Sequence, residues 1–232
     1  TIGTDGKLIS TERTFSSPIT GTATAGASTT LTDTTKTFEV NGLTNYQVRI
    51  TAGTGAGQFR TITSNTATVL TTAAWTTTPD ATSVYVIEGN PDFLYYMGNN
   101  AVTLYRYSIS GNTWSTLSPG VARAAAPVAG MTCNWVFNVT GWSETNSFLN
   151  GRYIFSFRGN SAIVDRYDIA GNTWTNDIPY FPKTETIASG TSSRYDGADH
   201  IHLMLTTGRT IRYNVAQSRI EGVSQLFYVQ GA

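Results

Sequence analysis

The feature of this sequence that most constrains its fold is an eleven-residue pattern that occurs twice, sixty residues apart. The two copies are residues 104–114 and 164–174, and both contain Arg-Tyr, an Ile two residues later, and then Gly-Asn-Thr-Trp. A fainter third copy occupies residues 210–220, where Ile220 stands in the place of the Trp. An apolar stretch that ends in a Gly turn precedes each copy. The predicted unit is therefore a strand, a turn, a second strand that ends in Arg-Tyr, and a short turn into a third strand.

Repeating units of this size are typical of β-propellers, in which small sheets, the blades, are arranged around an axis. The copies resemble the kelch motif, in which a Tyr is followed about seven residues later by a Trp. Tyr107 with Trp114 and Tyr167 with Trp174 have this spacing, although the Gly-Gly pair of kelch blades is absent. The resemblance covers residues 91–225 and implies blades but no activity. Three blades do not close a ring, because propellers usually have four to eight.

Composition divides the chain near residue 89, because most threonines precede this point and most aromatic residues follow it. In the first part, alternating segments predict strands at residues 46–50, 59–63, 67–71 and 83–87. We therefore predict an all-β protein in which a small antiparallel β-sandwich or barrel is followed by a partial kelch-like β-propeller. The predicted regions are an extended N-terminal arm over 1–19, the sandwich or barrel over 20–89, and about three blade-like units over 90–232. We expect the arm to be ordered against a neighbouring subunit.

Residues 20–88 also contain a distinctive series of Thr- and Gly-rich segments. They include Gly-Thr-Ala-Thr-Ala-Gly at 21–26, Leu-Thr-Asp-Thr-Thr-Lys at 31–36, and the run from Val48 to Gln58. The series is similar to a β module found in structural proteins of tailed bacteriophages. This resemblance implies a virion component, synthesised in the cytoplasm of the host bacterium, and it implies no catalytic residues.

Charge indicates which partners the chain is suited to. Fifteen Lys and Arg balance fifteen Asp and Glu, and only 13% of residues are charged, against about 25% in average domains. A neutral, charge-poor chain lacks the clustered cations that nucleic-acid binding requires, and no apolar run is long enough to span a membrane. Low charge and unclosed sheet edges instead favour association with other virion proteins and with copies of the same chain.

Two motifs suggest chemistry, and each has a structural alternative. The glycine-rich run at 53–57 is followed by a strand pattern rather than a helix, so it predicts a hairpin turn and not a phosphate loop. His200 and His202 share one face of a predicted strand, with Asp196 and Asp199 just upstream, so the four could bind a metal ion. Residues 196–199 are also ordinary turn sequence, and we predict no metal site.

Catalytic residues are not indicated either. A glycosidase needs two carboxylates at a controlled separation, but no local signature marks a pair, and Asp165 and Asp168 belong to the repeat. No Gly-x-Ser-x-Gly elbow is present, and Cys133 has no nearby His, so a small buried residue is expected there. We predict no catalytic residues, no cofactor, and no enzyme. The carboxylates of the second part are Asp92, Glu144, Asp165, Asp168, Glu185, Asp196, Asp199 and Glu221.

Aromatic residues between the first two blades suggest a contact surface. Trp135, Trp142 and Phe148 fall in a long insertion over residues 120–150, where they would bind another subunit or stack on a sugar. We favour the subunit contact. The sequence thus predicts a non-enzymatic structural component of the capsid or tail of a tailed bacteriophage. The alternatives are a tail-appendage or receptor-binding module that recognises a host surface glycan and, third, a carbohydrate-active enzyme.

Overall fold

The structure is a computed structural model, and it describes residues 6–11, 18–98, 101–126, 128–137, 151–179 and 187–225. Within these residues the chain forms β-strands and no helix, so no helix capable of crossing a membrane is found there. The all-β prediction is confirmed. In chain order the strands are β1 (Lys7–Ser10), β2 (Ile19–Thr22), β3 (Ala25–Ala27), β4 (Thr30–Thr32), β5 (Gln47–Ala52), β6 (Phe59–Asn65), β7 (Val69–Thr72), β8 (Val84–Glu88), β9 (Phe93–Met97), β10 (Leu104–Ser108), β11 (Thr113–Thr116), β12 (Thr132–Trp135), β13 (Tyr153–Phe157), β14 (Ile163–Asp168), β15 (Thr173–Pro179), β16 (Ser192–Tyr195), β17 (His200–Met204), β18 (Arg209–Asn214) and β19 (Arg219–Gln225).

These strands form four antiparallel sheets. The first, which we call the β module, has seven strands in the order β2-β8-β5-β6-β7-β4-β3. The other three have four strands each: β1-β9-β10-β11 is blade 1, β12-β13-β14-β15 is blade 2, and β16-β17-β18-β19 is blade 3. The predicted combination of a small β domain and a partial propeller of three blades is therefore confirmed.

The β module bends at its longest strand. The first half of β6 pairs with β5 and its second half with β7, and the register shifts between Ile62 and Ser64. Such a bulge bends a strand and increases its twist, which lets one sheet fold over its own core. Residues 53–57 connect β5 to β6 as the predicted hairpin turn, and Gly53, Gly55 and Gly57 all have positive φ. The core includes Leu31, Val48, Ile50, Ile62, Leu70, Tyr85 and Ile87.

Part of the N-terminal segment belongs to the propeller. Within the predicted arm, Lys7–Ser10 form β1, which pairs with β9 and completes blade 1. This strand occupies the edge that β12 occupies in blade 2 and β16 in blade 3. The β module is thus inserted between the first and second strands of blade 1. Four residues with a single buried side chain, Ile9, carry too short a pattern to predict this pairing from sequence.

All three copies of the repeat adopt the same strand register. The repeat Tyr lies opposite the repeat Trp or Ile across the last two strands of each blade. The alignment of the fainter third copy, with Ile220 in the Trp position, is therefore correct. The three pairs are Tyr107 with Trp114, Tyr167 with Trp174, and Tyr213 with Ile220.

The turn between these two strands is also built in the same way three times. One residue in each turn has positive φ: Asn112 at 46°, Asn172 at 45° and Ser218 at 51°. Asn tolerates this left-handed conformation better than most residues. A polar side chain at the end of the preceding strand accepts a hydrogen bond from the backbone N–H three residues later. The acceptors are Ser108, Asp168 and Asn214.

Two sets of contacts assemble the sheets. The inner strands follow one another, since β1 contacts β12 and β12 contacts β16, which places the propeller axis along these three edges. The β module joins blades 1 and 2 through polar contacts. Asn45 donates to the Ile169 carbonyl at 3.0 Å and accepts from Arg106 at 2.9 Å, while Arg152 forms an ion pair with Glu39 at 2.8 Å.

Candidate functional surface: the uncovered face of blade 1

Each blade has two faces that differ in their side chains. Residues paired across neighbouring strands project to the same side of a sheet, so the repeat Tyr and Trp share one face, which we call the front face. The repeat Arg, next to the Tyr in sequence, lies on the opposite back face. The front face of blade 1 carries Leu8, Leu94, Tyr96, Tyr105, Tyr107 and Trp114.

The front faces of blades 2 and 3 are covered by the preceding blade. Tyr167 of blade 2 lies against Tyr95 on the back of blade 1, with ring centroids 6.1 Å apart. Tyr213 of blade 3 lies edge-on to Phe157 on the back of blade 2, at 5.3 Å. Tyr167 and Tyr213 are buried. In both junctions, therefore, the front face of one blade packs on the back face of the blade before it.

Among the described residues no blade precedes blade 1, and its front face is open. Trp114 is 53% exposed and Leu8 is 60% exposed, whereas Trp174, at the equivalent position of blade 2, is 3% exposed. The aromatic rings still pack on each other: Trp114 lies 5.0 Å from Tyr107 and 6.2 Å from Tyr96, and Tyr96 lies 6.2 Å from Tyr105. Contiguous exposed apolar surface of this kind marks interaction sites in soluble proteins.

A second element covers Trp174. The chain from blade 1 to blade 2 runs along β15, where the backbone N–H of Trp174 donates to the Val121 carbonyl at 3.1 Å. Arg123 places its guanidinium 5.0 Å from the Trp174 ring and donates to Asp165 at 2.8 Å. Asp165 also accepts from Arg158, at 2.7 Å. The side chains of Arg123 and Asp165 are 1% and 0% exposed, so this ion pair fixes the segment in the interior of blade 2.

The repeat Arg contributes an electrostatic element to each junction between blades. Burial raises the pKa of Tyr167 above its ordinary range, while the positive charge of Arg106 on blade 1 acts in the opposite direction. Burial likewise raises the pKa of Tyr213, against the charge of Arg166 on blade 2. Arg106 stacks over the Phe93 ring at 4.2 Å and Arg166 over the Tyr153 ring at 4.4 Å. The Arg of one blade thus faces the Tyr of the next.

The histidines considered as metal ligands lie on the back face of blade 3. His200 Nε2 is 2.7 Å from Glu221, and Asp196 is 3.5 Å from His200 and 3.7 Å from His202. Asp196 also accepts the N–H groups of Ala198 and His200, which makes it the predicted turn residue. Among the described residues, no group of three or more His, Cys, Asp or Glu has a geometry that could hold a metal ion.

The pKa of Asp196 is below its ordinary value. Partial burial raises it, but the hydrogen bonds from backbone N–H groups and the nearby histidines outweigh that cost. Glu221 was not connected to His200 by sequence reasoning, because β19 meets β18 at a shift in register. The hydrogen bond from His200 is the largest cause that lowers the pKa of Glu221. This cluster is a network of ion pairs at the open end of blade 3.

The other residues considered for chemistry are engaged within the blades. Asp165 is bonded to two arginines, and Asp168 forms an ion pair with Arg152 at 2.8 Å. Cys133 donates to Ser156 at 3.3 Å, and burial raises the pKa of its thiol. A raised pKa disfavours the thiolate that nucleophilic chemistry requires. Glu144 and Glu185 lie outside the described residues.

The prediction that Trp135 is a loop aromatic available for contact was wrong. Trp135 ends β12, the inner strand of blade 2, is buried, and donates its indole N–H to the Gly151 carbonyl at 2.9 Å. The inner strands carry no repeat signature, so the sequence placed this strand in an insertion. Trp142 and Phe148 lie outside the described residues. An aromatic residue that the structure does expose in the second part of the chain is Trp114, which the sequence analysis assigned to the repeat.

Comparisons with known proteins add little to these observations. No protein-family model matches this chain, and no curated protein matches it. Two solved structures are similar to it, "Structure of U3-55K" and "Crystal structure of RRP9 WD40 repeats", each with 10% identity and a TM-score of 0.37. Each alignment covers 59% of this chain and 36% of the other, so this chain spans about a third of their length. The β-propeller blades of this chain are described from its own three four-stranded sheets.

Proposed function

We propose that this protein is a non-enzymatic structural component of the particle of a tailed bacteriophage, where it makes subunit contacts in the capsid or tail. In this proposal it is synthesised in the cytoplasm of the host bacterium and resides in the virion, and its blades are kelch-like. The resemblance of residues 20–88 to a phage β module supports the assignment to a particle. The observation that carries the role in contacts is the open aromatic front face of blade 1.

The chemistry of this face supports a role in binding. Aromatic side chains bury large apolar areas, and each Å² removed from water contributes about 25 cal/mol. A face that holds Trp114 at 53% exposure gains this energy only when something covers it. Phenol and indole groups also offer hydrogen bonds at the rim of a contact, which is why Tyr and Trp are enriched in interfaces.

The engagement of the carboxylates supports a role without catalysis. Asp165 forms ion pairs with Arg158 and with Arg123 of the chain between blades 1 and 2, and Asp168 forms an ion pair with Arg152. A carboxylate that works as an acid or base has to reach substrate, and these two are committed to fixing the chain between blades. Their contacts are those of a rigid scaffold.

The test uses purified particles of the phage that encodes the chain. Quantitative mass spectrometry should find the protein at a fixed ratio to the major capsid or tail protein, and antibody labelling should place it at one location on the particle. Absence from particles that have been purified to constant composition would contradict the proposal. A phage whose gene carries Trp114→Ala should assemble less well than one that carries Phe59→Ala, an exposed aromatic of the β module.

The second candidate is a tail-appendage module that binds a host surface glycan. The pair of Trp114 and Tyr107, with ring centroids 5.0 Å apart on an open face, favours it, because exposed aromatic rings stack on sugars. Isolated protein should then bind host bacteria or their polysaccharide, and Trp114→Ala should abolish binding while Phe59→Ala retains it. No binding by the isolated protein would reject this candidate.

A further inference from the structure

The two ends of the blade array are the two halves of a junction that this chain already makes twice. Blade 2 presents its front face to the back of blade 1, and blade 3 presents its front face to the back of blade 2. Two halves are left over: the front face of blade 1 and the back face of blade 3. Both are open, as the exposure of Trp114 and of Met204 (51%) indicates.

The back face of blade 3 occupies the same positions as the back faces that form the existing junctions. The strand register places Tyr95, Phe155 and His202 opposite the repeat Arg of their own blades. Two residues further along the same strands, on the same face, the equivalent residues are Met97, Phe157 and Met204. Where blades 1 and 2 have an aromatic ring, blade 3 has an imidazole. An imidazole ring packs like an aromatic ring, yet it tolerates contact with water before a partner arrives.

The repeat Arg and Tyr residues of the two open faces also correspond to the pairs at the existing junctions. Arg106 acts on Tyr167 across the first junction, and Arg166 acts on Tyr213 across the second. The next pair in this series joins Arg212, which is exposed on the back of blade 3, to Tyr107, which is half-buried on the front of blade 1. In the part of the chain that the structure describes, neither residue has such a partner blade. A cation placed near an aromatic ring stabilises a contact, and it does so more strongly as water is excluded.

We propose that two copies of this chain close head to tail into a six-bladed ring, in which the front face of blade 1 of each copy packs on the back face of blade 3 of the other. Arg212 of one copy then faces Tyr107 of its partner, and β16 of one copy lies beside β1 of the other along the axis. Three blades and three blades give six, within the usual range of four to eight for propellers. A two-fold axis makes both new junctions identical and leaves no open end.

A second copy suits these faces better than a glycan does. A sugar would use only the exposed part of Trp114, and it would leave the back face of blade 3 open. A second copy covers both ends at once with contacts of a kind that the chain already makes. The ring goes beyond the proposed function and does not depend on it, because the ring is tested on the isolated chain and the particle role on purified phage.

The first experiment measures the mass of the full 232-residue chain by light scattering and sedimentation over a concentration series. The expected mass is twice the 25.0 kDa of one chain. A mass of 25.0 kDa at every concentration would overturn the proposal, and so would open-ended polymers, because a ring of two copies has no free end. Tyr107→Arg sets two cations against each other and should raise the dissociation constant of the dimer about 30-fold or more.

A matched control and a cross-link make the test specific to this junction. Val40→Lys, on an exposed site of the β module, should leave the dimer unchanged. In a Cys133→Ser background, chains with Tyr107→Cys mixed with chains with Arg212→Cys should be joined by a short bismaleimide, and either variant alone should not. Circular dichroism and urea unfolding confirm that each variant folds. Equal cross-linking by the single variants, or none in the mixture of folded dimers, would reject the assigned faces.

Discussion

Blades 1 and 2 carry the same eleven-residue pattern, yet its aromatic side chains are buried in blade 2 and partly exposed in blade 1. In both blades the Tyr hydroxyl donates to the Asn of the turn, at 2.6 Å from Tyr107 and 2.7 Å from Tyr167. In both, the Tyr and Trp rings lie about 5 Å apart across the strand pair. Only the surroundings differ, since blade 1 lies against Tyr167 and residues 120–124 lie along Trp174, whereas Trp114 faces solvent. A local motif fixes a local shape, and the neighbours decide whether that shape is core or surface.

The largest expected difference concerns the two tryptophans. Trp174→Ala leaves a cavity between Arg123 and Tyr167 and should lower the free energy of unfolding by about 3–5 kcal/mol. Trp114→Ala removes one exposed ring contact and should cost about 1 kcal/mol. Urea unfolding at a dilution where the chain is monomeric compares them directly. Equal losses would mean that the two sites are equally buried, which would contradict the difference between the blades.

The next difference concerns the position before the repeat Arg. Asp165→Ala leaves Arg123 buried without its partner and should cost about 3–5 kcal/mol, the range for breaking a buried ion pair. The equivalent residue of blade 1 is Tyr105, which is half-buried, and Tyr105→Ala should cost about 1 kcal/mol. The measurement is again urea unfolding, with Arg123→Met as a control for the lost packing. A small loss in Asp165→Ala would show that the segment over β15 is not fixed by this pair.

The turns should respond alike, because they are built alike. Asn112→Ala and Asn172→Ala each place in the left-handed conformation a residue that tolerates it less well than Asn, and they remove the acceptor of the Tyr hydroxyl, for a loss of about 1–2 kcal/mol. Asn→Gly at either position relieves the backbone strain and should recover part of this loss. Thermal unfolding of the four variants tests the expectation. A clearly larger loss in one blade would show that tertiary contacts, and not the turn itself, set the conformation.

The smallest expected effect is on the stability of the protein at acidic pH. Asp92 ties the start of β9 to the turn of blade 1, since it accepts from Ser108 and from the Ser110 N–H, both at 2.7 Å. Partial burial raises the pKa of Asp92, but these hydrogen bonds hold it below the ordinary value of 3.8. Its contribution is therefore complete above pH 3.8 and is lost as pH falls through the lower pKa of the folded state.

Asp92→Asn should accordingly flatten the fall in stability below pH 3.8, as measured by urea unfolding across that range. The control is blade 2, where the equivalent connection is the ion pair of Arg152 with Asp168, so that the carboxylate lies at the position that Ser108 has in blade 1. Arg152→Met should lower stability at neutral pH as well. If Asp92→Asn leaves the acid dependence unchanged, the carboxylate does not hold this turn.

The sequence by itself determined the local units. The spacing of Tyr107, Asn112 and Trp114 predicted the two paired strands and the turn between them, and the same spacing found the third copy, where Ile220 replaces Trp. Four strands of the β module, β5 to β8, and the hairpin at residues 53–57 were equally predictable, whereas the short strands β2, β3 and β4 were not predicted. These features depend on residues close together in the chain, where the period of the side chains and the conformational preferences of Gly and Asn act directly.

Only the tertiary structure decided what each unit lies against. It showed that Lys7–Ser10 pair with β9 and so complete blade 1, although the seven strands of the β module separate the two in sequence. It also showed that Trp135 is buried in an inner strand and that Trp114 is exposed. No local pattern encodes these facts, because pairing over more than eighty residues and the covering of a face depend on which sheets stack together. Identical motifs therefore became core in blade 2 and open surface in blade 1.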